Sequence, residues 1–343
     1  MTAISDATVK LLSGSDLEYG EAREVMDSIM SGGCSPVSIA SYLTALESKG
    51  ETVDEIAASA FEMRAHALRL PGEHTDALEI VGTGGDRSGS FNISTTSAFV
   101  IAGCGVEVAK HGNRAMSSRS GAADVLEALG ARLDIEPDDS ARILKECGFA
   151  FMFAQKYHPA MKYVAPVRRE LGFRTVFNIL GPLTNPAFAG NQFTGVFSGS
   201  LVPRIAEVLD LIGVRNAMVV YGTDGMDEMS VSAETECCEL RSGTRDTYSV
   251  APEDFGMERS PHDAILGGGP EENASITRSV LSGAKGARRD IVLLNSAAGL
   301  YTCRKASSIA EGIEMAANSI DSGEAMRRLD QFVKLTGEAH VDT

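Results

Sequence analysis

Beyond residue 71 the chain alternates short apolar runs with helical patterns, and this alternation most constrains its fold. The apolar runs predict strands at 77–81, 106–110, 149–154 and 217–222. The patterns between them predict helices at 96–103, 123–130 and 203–213. Such alternation is typical of a central, mostly parallel sheet flanked by helices. Because ligands of these sheets bind beyond the carboxyl ends of the strands, functional residues are expected in the loops that follow the strands.

The first 72 residues predict helices only. Ser35 can cap a helix whose first residue is Pro36, and Gly50 is a typical stop signal. Thr52 and Glu55 have the spacing of a capping box for the next helix. We therefore expect an α/β protein with a small N-terminal helical domain at 1–72 and a large α/β domain at 73–343.

Composition narrows the possible partners. The 343 residues carry 31 Lys and Arg against 47 Asp and Glu, a formal net charge of −16. This acidity disfavours binding to nucleic acid or to an anionic membrane surface. No run of 18 apolar residues and no basic, apolar leader are present, so we expect neither a membrane span nor a signal peptide. The six cysteines form no CxxC pair, which favours free thiols and a cytoplasmic location.

The loop after the first predicted strand, VGTGGDRSGSFNIST at 81–95, favours a phosphorylated sugar. Gly82, Gly84 and Gly85 leave backbone amides accessible to an anion, and a helix predicted after Asn92 adds its N-terminal N–H groups. Asp86 suits a cation or a sugar hydroxyl better than a phosphate. The loop lacks the GK[ST] of a Walker A motif and the spacing of a Rossmann fingerprint. A plain Gly/Ser-rich connection remains the alternative.

Three further stretches carry candidate chemistry. KHGNRAMSSRSGAADVLEALG at 110–130 places basic and hydroxyl side chains after a predicted strand, which suits a pyrophosphate or a carboxylate. GTDGMDEMS at 222–230 crowds three acids together, which suits Mg²⁺. The stretch 158–187 contains Arg168, Arg169 and Arg174, and arginine can grip a carboxylate with two hydrogen bonds. Taken singly, each could also be a solvated surface segment.

In this order and spacing, the motifs GTGGD…FNIST, KHGNRAMSSRSGAADVLEALG, HPAMKYVAPVRRELGFRTVFNILGPLTNP and DGMDEMS resemble the anthranilate phosphoribosyltransferase family over about residues 5–335. The resemblance implies transfer of phosphoribose from phosphoribosyl pyrophosphate to anthranilate, in tryptophan biosynthesis, with Mg²⁺. It implies an active site in a hinge cleft, helices from about 160–188 added to the helical domain, and a homodimer joined through that domain.

The resemblance also implies the site residues. Those for phosphoribosyl pyrophosphate are Gly82, Gly85, Asp86, Ser90, Asn92, Ile93, Ser94, Thr95, Lys110, His111, Gly112, Asn113, Arg114, Ala115, Met116, Ser117 and Ser118. Those for anthranilate are Gly82, Asn113 and Arg168, and those for the metal are Ser94, Asp227 and Glu228. The catalytic residues are Lys110, Asn113 and Arg168. Ala122 stands where family members often carry serine, so one phosphate contact is missing there.

Lys110 is expected to neutralise charge on the departing pyrophosphate, and Asn113 and Arg168 to position the amine. For His111 a structural role is favoured over that of a base. Two other functions stay open: a pyrimidine nucleoside phosphorylase-like enzyme, and a non-catalytic relative that binds nucleic acid. The second should be basic and lack the Asp-Glu pair, whereas this chain is acidic and has it.

Overall fold

The computed structural model describes residues 2–115 and 118–339. Four helices open the chain: α1 (Ala3–Leu12), α2 (Tyr19–Met30), α3 (Pro36–Lys49) and α4 (Val53–Ala65). The two predicted helix starts are confirmed. Ser35 caps α3 by accepting a hydrogen bond from the Ser38 amide at 3.1 Å. Thr52 and Glu55 form both bonds of the capping box of α4.

The sheet has seven strands among the described residues: β1 (Leu78–Gly82), β2 (Val108–Gly112), β3 (Phe149–Phe153), β4 (Asn191–Gly195), β5 (Asn216–Gly222), β6 (Thr235–Arg241) and β7 (Thr244–Val250). Their order is β3-β2-β1-β4-β5-β6-β7. The first five strands are parallel, and β6 and β7 are antiparallel additions at one edge. The predicted mostly parallel sheet is therefore confirmed.

The strand order reverses between β1 and β4. From β1 the chain first builds outward to β2 and β3, and it then returns to place β4 on the other side of β1. Gly82 and Gly195, the last residues of β1 and β4, are partners in the register. A reversal of this kind opens a crevice beyond the strand ends, where ligands of open α/β sheets bind.

The remaining helices cover both faces of the sheet. They are α5 (Ile93–Gly103), α6 (Ala122–Ala128), α7 (Pro137–Cys147), α8 (Ala154–Tyr157), α9 (Ala165–Leu171), α10 (Phe177–Leu180), α11 (Val202–Leu211), α12 (Pro270–Leu281), α13 (Ala287–Thr302), α14 (Ile309–Asp321) and α15 (Glu324–Glu338). The helices predicted at 96–103, 123–130 and 203–213 correspond to α5, α6 and α11. The strand predicted at 106–110 begins two residues later, at Val108.

Two large apolar clusters hold these layers together. The first packs α5, α13 and α15 on one face, where the Phe99 and Phe149 rings lie 4.5 Å apart. The second joins α1–α4 to α9 and α10, through Val167 and Phe177, and continues onto α11 and the sheet. Because this cluster runs from the helical region into the sheet without a break, the domain boundary at residue 72 stays a prediction.

All six cysteines are free thiols, with Cys147, Cys237 and Cys238 buried. Among the helices of the described residues, none has both the length and the apolar character needed to cross a bilayer.

Candidate active site

The glycine loop that follows β1 adopts the conformations that glycine makes easy. Gly84 and Gly85 have φ angles of +68° and +72°, a region that other residues rarely enter. The Gly84 amide donates to Asp227 Oδ2 at 2.7 Å. Across the cleft, Arg174 donates through Nη2 to Gly85 O at 2.7 Å, and its guanidinium lies 3.9 Å from the centre of the Phe197 ring. The loop is therefore held from two sides.

Gly82 allows Asp227 to pack closely against the end of β1. A Cβ atom at Gly82 would lie 2.4 Å from Asp227 Oδ2, and one at Gly195 would lie 1.6 Å from Asp227 O. Neither residue has a positive φ angle. The strand-end glycines of β1 and β4 thus leave the space that Asp227 occupies, and side chains in their place would displace the acid.

The acid pair after β5 reaches the glycine loop and the start of α5. Glu228 is buried, and its Oε1 accepts from the Ser94 amide at 3.1 Å, in the first turn of α5. Asp227 lies opposite Gly84, as described above. The sequence prediction that 82–95 and 227–228 share a site is supported by these two hydrogen bonds, each linking segments more than 130 residues apart.

Negative charge is concentrated in this crevice. Burial and the charge of Asp86 raise the pKa of Asp227 to about 7. Burial and the charge of Asp227 raise the pKa of Glu228 well above its usual range. A divalent cation would relieve this repulsion, and two carboxylates beside a glycine-rich loop with accessible amides suit Mg²⁺. The residues present therefore fit the metal that the sequence predicts.

Lys110 is a buried residue next to the first turn of α5. It extends from β2, is 2% exposed, and its Nζ donates to Ile80 O at 2.5 Å and to Ser94 Oγ at 3.3 Å. Burial lowers the pKa of Lys110, while Glu79, Glu228 and Asp227 oppose that change. The hydrogen bonds thus fix the Lys110 Nζ close to Ser94, a predicted metal ligand.

The end of β2 is anchored by buried groups. Glu79 accepts from the His111 amide through both carboxylate oxygens, at 3.1 Å each. The rings of His111 and His158 lie 4.9 Å apart, and His111 Nδ1 is 3.2 Å from Gly181 O. Burial first, and the neighbouring imidazole second, lower the pKa of His111 to about 3. An imidazole with so low a pKa is a poor proton acceptor at neutral pH, in agreement with the structural role expected for His111.

The loop beyond Gly112 is tied to α6. Arg114 forms ion pairs with Asp124 at 3.2 Å and with Glu127 at 2.5 Å, so much of its charge is compensated within the protein. The Ala115 amide donates to Asp124 Oδ2 at 2.8 Å. Met116 and Ser117, predicted in the same run, lie outside the described residues.

Three other residues predicted to bind substrate make local contacts or lie outside the loops described above. Asn113 Oδ1 accepts from the Arg114 amide at 2.8 Å, and Ser118 Oγ donates to Ser120 O at 3.3 Å. Arg168, on α9, is half-buried, and its guanidinium lies 5.6 Å from the centre of the Phe177 ring. Within the described part of the chain, no hydrogen bond or ion pair joins Arg168 to the loops after β1, β2 or β5. Those three loops are brought together, whereas Arg168 lies on α9, which packs with the helical region.

The sequence interpretation missed a segment that runs along the glycine loop. Gly267 N donates to Gly89 O at 2.9 Å, and His262 Nε2 lies 2.7 Å from Ser88 O. The signal available was the GGGP turn at 267–270, directly before α12.

Two buried asparagines were missed as well. Asn273 Nδ2 donates to Asn92 Oδ1 at 2.9 Å, and so orients a residue predicted to bind phosphate. Asn295, on α13, bonds the main chain of Met229, directly after the acid pair. Single polar residues within helices gave no pattern from which these contacts could be predicted.

Comparison with known proteins assigns the chain to a protein family. The helical bundle domain of a glycosyl transferase family matches residues 5–67, and the a/b domain of a glycosyl transferase family matches residues 74–326. The anthranilate phosphoribosyltransferase of Methanobrevibacter smithii is 56% identical over 97% of this chain and 99% of its own. That of Lachnoclostridium phytofermentans is 53% identical over the same shares.

Solved structures agree. The crystal structure of the Thermus thermophilus anthranilate phosphoribosyltransferase superposes with a TM-score of 0.91 at 46% identity, covering 97% of this chain and 99% of that one. The Saccharomyces cerevisiae enzyme in complex with phosphoribosyl pyrophosphate and Mg gives 0.89 at 30% identity, covering 98% of each chain. The chain belongs to the anthranilate phosphoribosyltransferase family.

Proposed function

We propose that this protein transfers the 5-phosphoribosyl group from phosphoribosyl pyrophosphate to the amine of anthranilate, releasing pyrophosphate, in L-tryptophan biosynthesis. The observation that carries the proposal is the meeting of Asp227 and Glu228 with the glycine loop and the first turn of α5. A sugar diphosphate needs accessible amides for its phosphates and acids for its metal, and the crevice offers both.

Mg²⁺ is the proposed cofactor, held by Asp227, Glu228 and Ser94. When bound, it would stabilise the negative charge that develops on the departing pyrophosphate. The buried ammonium of Lys110, 3.3 Å from Ser94 Oγ, adds a positive charge that needs no reorganisation during the reaction.

For phosphoribosyl pyrophosphate we propose the residues of the glycine loop and of the loop after β2. They are Gly82, Gly85, Asp86, Ser90, Asn92, Ile93, Ser94 and Thr95, with Lys110 and the run from His111 to Ser118. Asn113 and Arg168, with Gly82, would position anthranilate so that its amine faces the anomeric carbon. After the C–N bond forms, the amine proton is acidic and passes to solvent. No acid–base role is assigned to His111, because its pKa is about 3.

The activity can be tested through the fluorescence of anthranilate. It should fall only when both phosphoribosyl pyrophosphate and Mg²⁺ are present. The double variant Asp227→Asn with Glu228→Gln keeps the side-chain shapes and removes the charges. Since metal stabilisation is worth several kcal/mol and each 1.36 kcal/mol is tenfold, we expect at least about a 100-fold loss of kcat/KM.

Glu234→Gln is the matched control. This exposed acid lies in the same connection between β5 and β6, and within the described part of the chain only its main chain is hydrogen-bonded, to Thr223. We expect its activity to equal that of the wild type. Equal rates for the double variant and the wild type would refute the metal assignment, and consumption of anthranilate without Mg²⁺ would refute the requirement.

We further propose a homodimer joined through the helical domain of residues 1–72, to which helices from about 160–188 are added. Val9, Leu12 and Val37 on α1 and α3 are 61%, 72% and 76% exposed, an unusual number of bare aliphatic side chains on neighbouring helices. In light scattering, Leu12→Glu should lower the molar mass to that of a monomer. Leu211→Glu, on α11 and 56% exposed, should leave a dimer. A monomeric wild type would refute the proposal.

The cysteines and the net charge bear on the cellular location and the partners of the protein. Free thiols at all six cysteines suit a reducing compartment, so we propose that the protein works in the cytoplasm. The net charge of −16 gives no support for nucleic acid as a partner.

A further inference from the structure

Asn295 is a buried amide at the centre of α13, outside every sequence motif discussed above. Its side chain is fully enclosed, at 0% exposure. Asn295 Oδ1 accepts from the Met229 amide at 2.9 Å, and Asn295 Nδ2 donates to Met229 O at 2.9 Å. The second hydrogen of Nδ2 goes to Ile291 O, at 2.8 Å within the same helix. Both donor hydrogens and the acceptor oxygen of the side chain are therefore used.

The chemistry of this contact requires a carboxamide. Pairing with the N–H and the C=O of one residue needs an acceptor and a donor on one rigid plane, and the carboxamide of Asn provides both without a change of protonation state. An ionised aspartate would lose the donor, and an aliphatic residue would leave two buried main-chain groups unpaired, which is costly. Asn is also a poor helix former, so helix stability gives no reason for its presence in α13.

The residue held in this way directly follows the acid pair. Met229 is fully buried, and Asn295 fixes its main chain from one side. On the other side, Asp227 and Glu228 receive hydrogen bonds from Gly84 and from Ser94. The acid-bearing segment is thus clamped between α13 and the loop of β1, and a slip of its main chain would move both carboxylates together.

We propose that Asn295 is a positioning residue for the metal–diphosphate site: it holds the Met229 main chain so that both carboxylates face the glycine loop. The inference rests on the proposed function, because it assigns the acid pair to the metal. The Asn295 side chain bonds the main chain of Met229 and neither carboxylate, so it acts through the main chain. Loss of such outer partners typically weakens metal affinity or activity by about 10- to 100-fold.

The test measures metal binding without turnover. Mn²⁺ serves as the probe, and its binding in the presence of phosphoribosyl pyrophosphate, with no anthranilate, is followed by electron paramagnetic resonance. Asn295→Ala should weaken Mn²⁺ binding by about 10- to 100-fold. Turnover should recover in part at high Mg²⁺, so the apparent metal constant changes more than the KM for anthranilate.

Thr302→Val is the matched control. Thr302 is also buried on α13, but among the described residues its hydroxyl bonds only to Ala298 O of the same helix, at 2.8 Å. This variant should bind Mn²⁺ within about twofold of the wild type, as expected for a change that leaves the clamp intact.

Each outcome decides the question. Wild-type protein that binds no Mn²⁺ with phosphoribosyl pyrophosphate would refute the proposed function itself. Wild-type binding together with unchanged affinity in Asn295→Ala would overturn only the positioning role. If Asn295→Ala does not fold, Asn295→Leu, which has a similar shape and no hydrogen-bonding group, takes its place. If both variants unfold, Asn295 is a residue of stability, and the inference is wrong.

Discussion

Replacing Gly82 by alanine tests how the acid pair is seated. The added Cβ would lie 2.4 Å from Asp227 Oδ2 and 2.8 Å from Asp227 Cγ, whereas ordinary contacts of a Cβ begin at 3.4 Å. The carboxylate must therefore retreat by about 1 Å, the difference between the contact required and the space available. Because Gly82 does not have a positive φ angle, the main chain itself tolerates alanine.

The cost follows from the bond that this retreat breaks. Asp227 Oδ2 accepts from the Gly84 amide at 2.7 Å, and a hydrogen bond to a charged group contributes about 1.5–3 kcal/mol. At 1.36 kcal/mol per decade, this is about a 10- to 100-fold loss in kcat/KM. A 1 Å displacement of a catalytic group can by itself cost about 100-fold, which agrees with the upper value.

The assay is anthranilate fluorescence, followed over a titration of Mg²⁺, with thermal melts on the same samples. Gly337→Ala in α15 is the control, since its Cβ meets nothing within 4 Å and helical Gly→Ala changes are usually stabilising. We expect Gly82→Ala to remain folded and to need more Mg²⁺. A folded Gly82→Ala variant with the kcat/KM of the wild type at every Mg²⁺ concentration would refute the reasoning.

Two other predictions follow from the site. In the folded protein, burial lowers the pKa of His158 to about 4, whereas an unfolded imidazole titrates near 6.5, so protons favour the unfolded chain between these values. The unfolding free energy should therefore fall by up to about 1.4 kcal/mol per pH unit as the pH drops from 6.5 to 4. Urea titrations of His158→Gln should show a shallower dependence of the unfolding free energy on pH. The same pH dependence in the variant and the wild type would contradict the lowered pKa of His158. Arg174→Ala removes the hydrogen bond to Gly85 O and the contact with Phe197, so calorimetry should show phosphoribosyl pyrophosphate binding about 10-fold more weakly, as for one lost hydrogen bond of about 1.4 kcal/mol. Arg169→Ala, an exposed neighbour of Arg168, should bind like the wild type, and equal affinity in both variants would remove Arg174 from the site.

The helices and strands that could be predicted are those whose pattern is local. The capping residues Ser35 and Thr52 act within three residues, and the apolar runs of β1, β3 and β5 are buried almost throughout. Strand β4 was not predicted, because it opens with Asn191 and Gln192, which are polar and yet buried. Their amides are satisfied by Asp76 O at 3.0 Å and by Pro182 O at 2.8 Å, partners that only the fold brings near.

The hairpin of β6 and β7 was missed for a different reason. Its second strand is largely exposed and holds Arg245, Asp246 and Thr247 in succession, a composition more typical of a loop. It is a strand because every residue from Thr244 to Val250 pairs with β6. The backbone pairing available at a sheet edge thus outweighs the preference of the side chains.

The candidate site shows the same division between local and distant information. The four motifs could be found because each is a short run with an unusual composition. Their interpretation was incomplete, because the glycines were read as residues that expose amides and permit positive φ angles, and not as space for a distant side chain. Gly84 and Gly85 do have positive φ angles, but Gly82 is needed because Asp227, 145 positions later, packs against it. No spacing within the loop could carry that information.

Gly195 is a second glycine that makes room for Asp227. It ends β4, lies in no motif, and stands beside Gly82 in the sheet, with the Asp227 main chain packed against it. The two glycines terminate the two strands between which the chain order reverses. A crevice at that reversal is a property of the topology, but an acid can enter it only if both strand ends lack side chains. The topology therefore provides the crevice, and two glycines from different parts of the sequence allow Asp227, the proposed metal ligand, to occupy it.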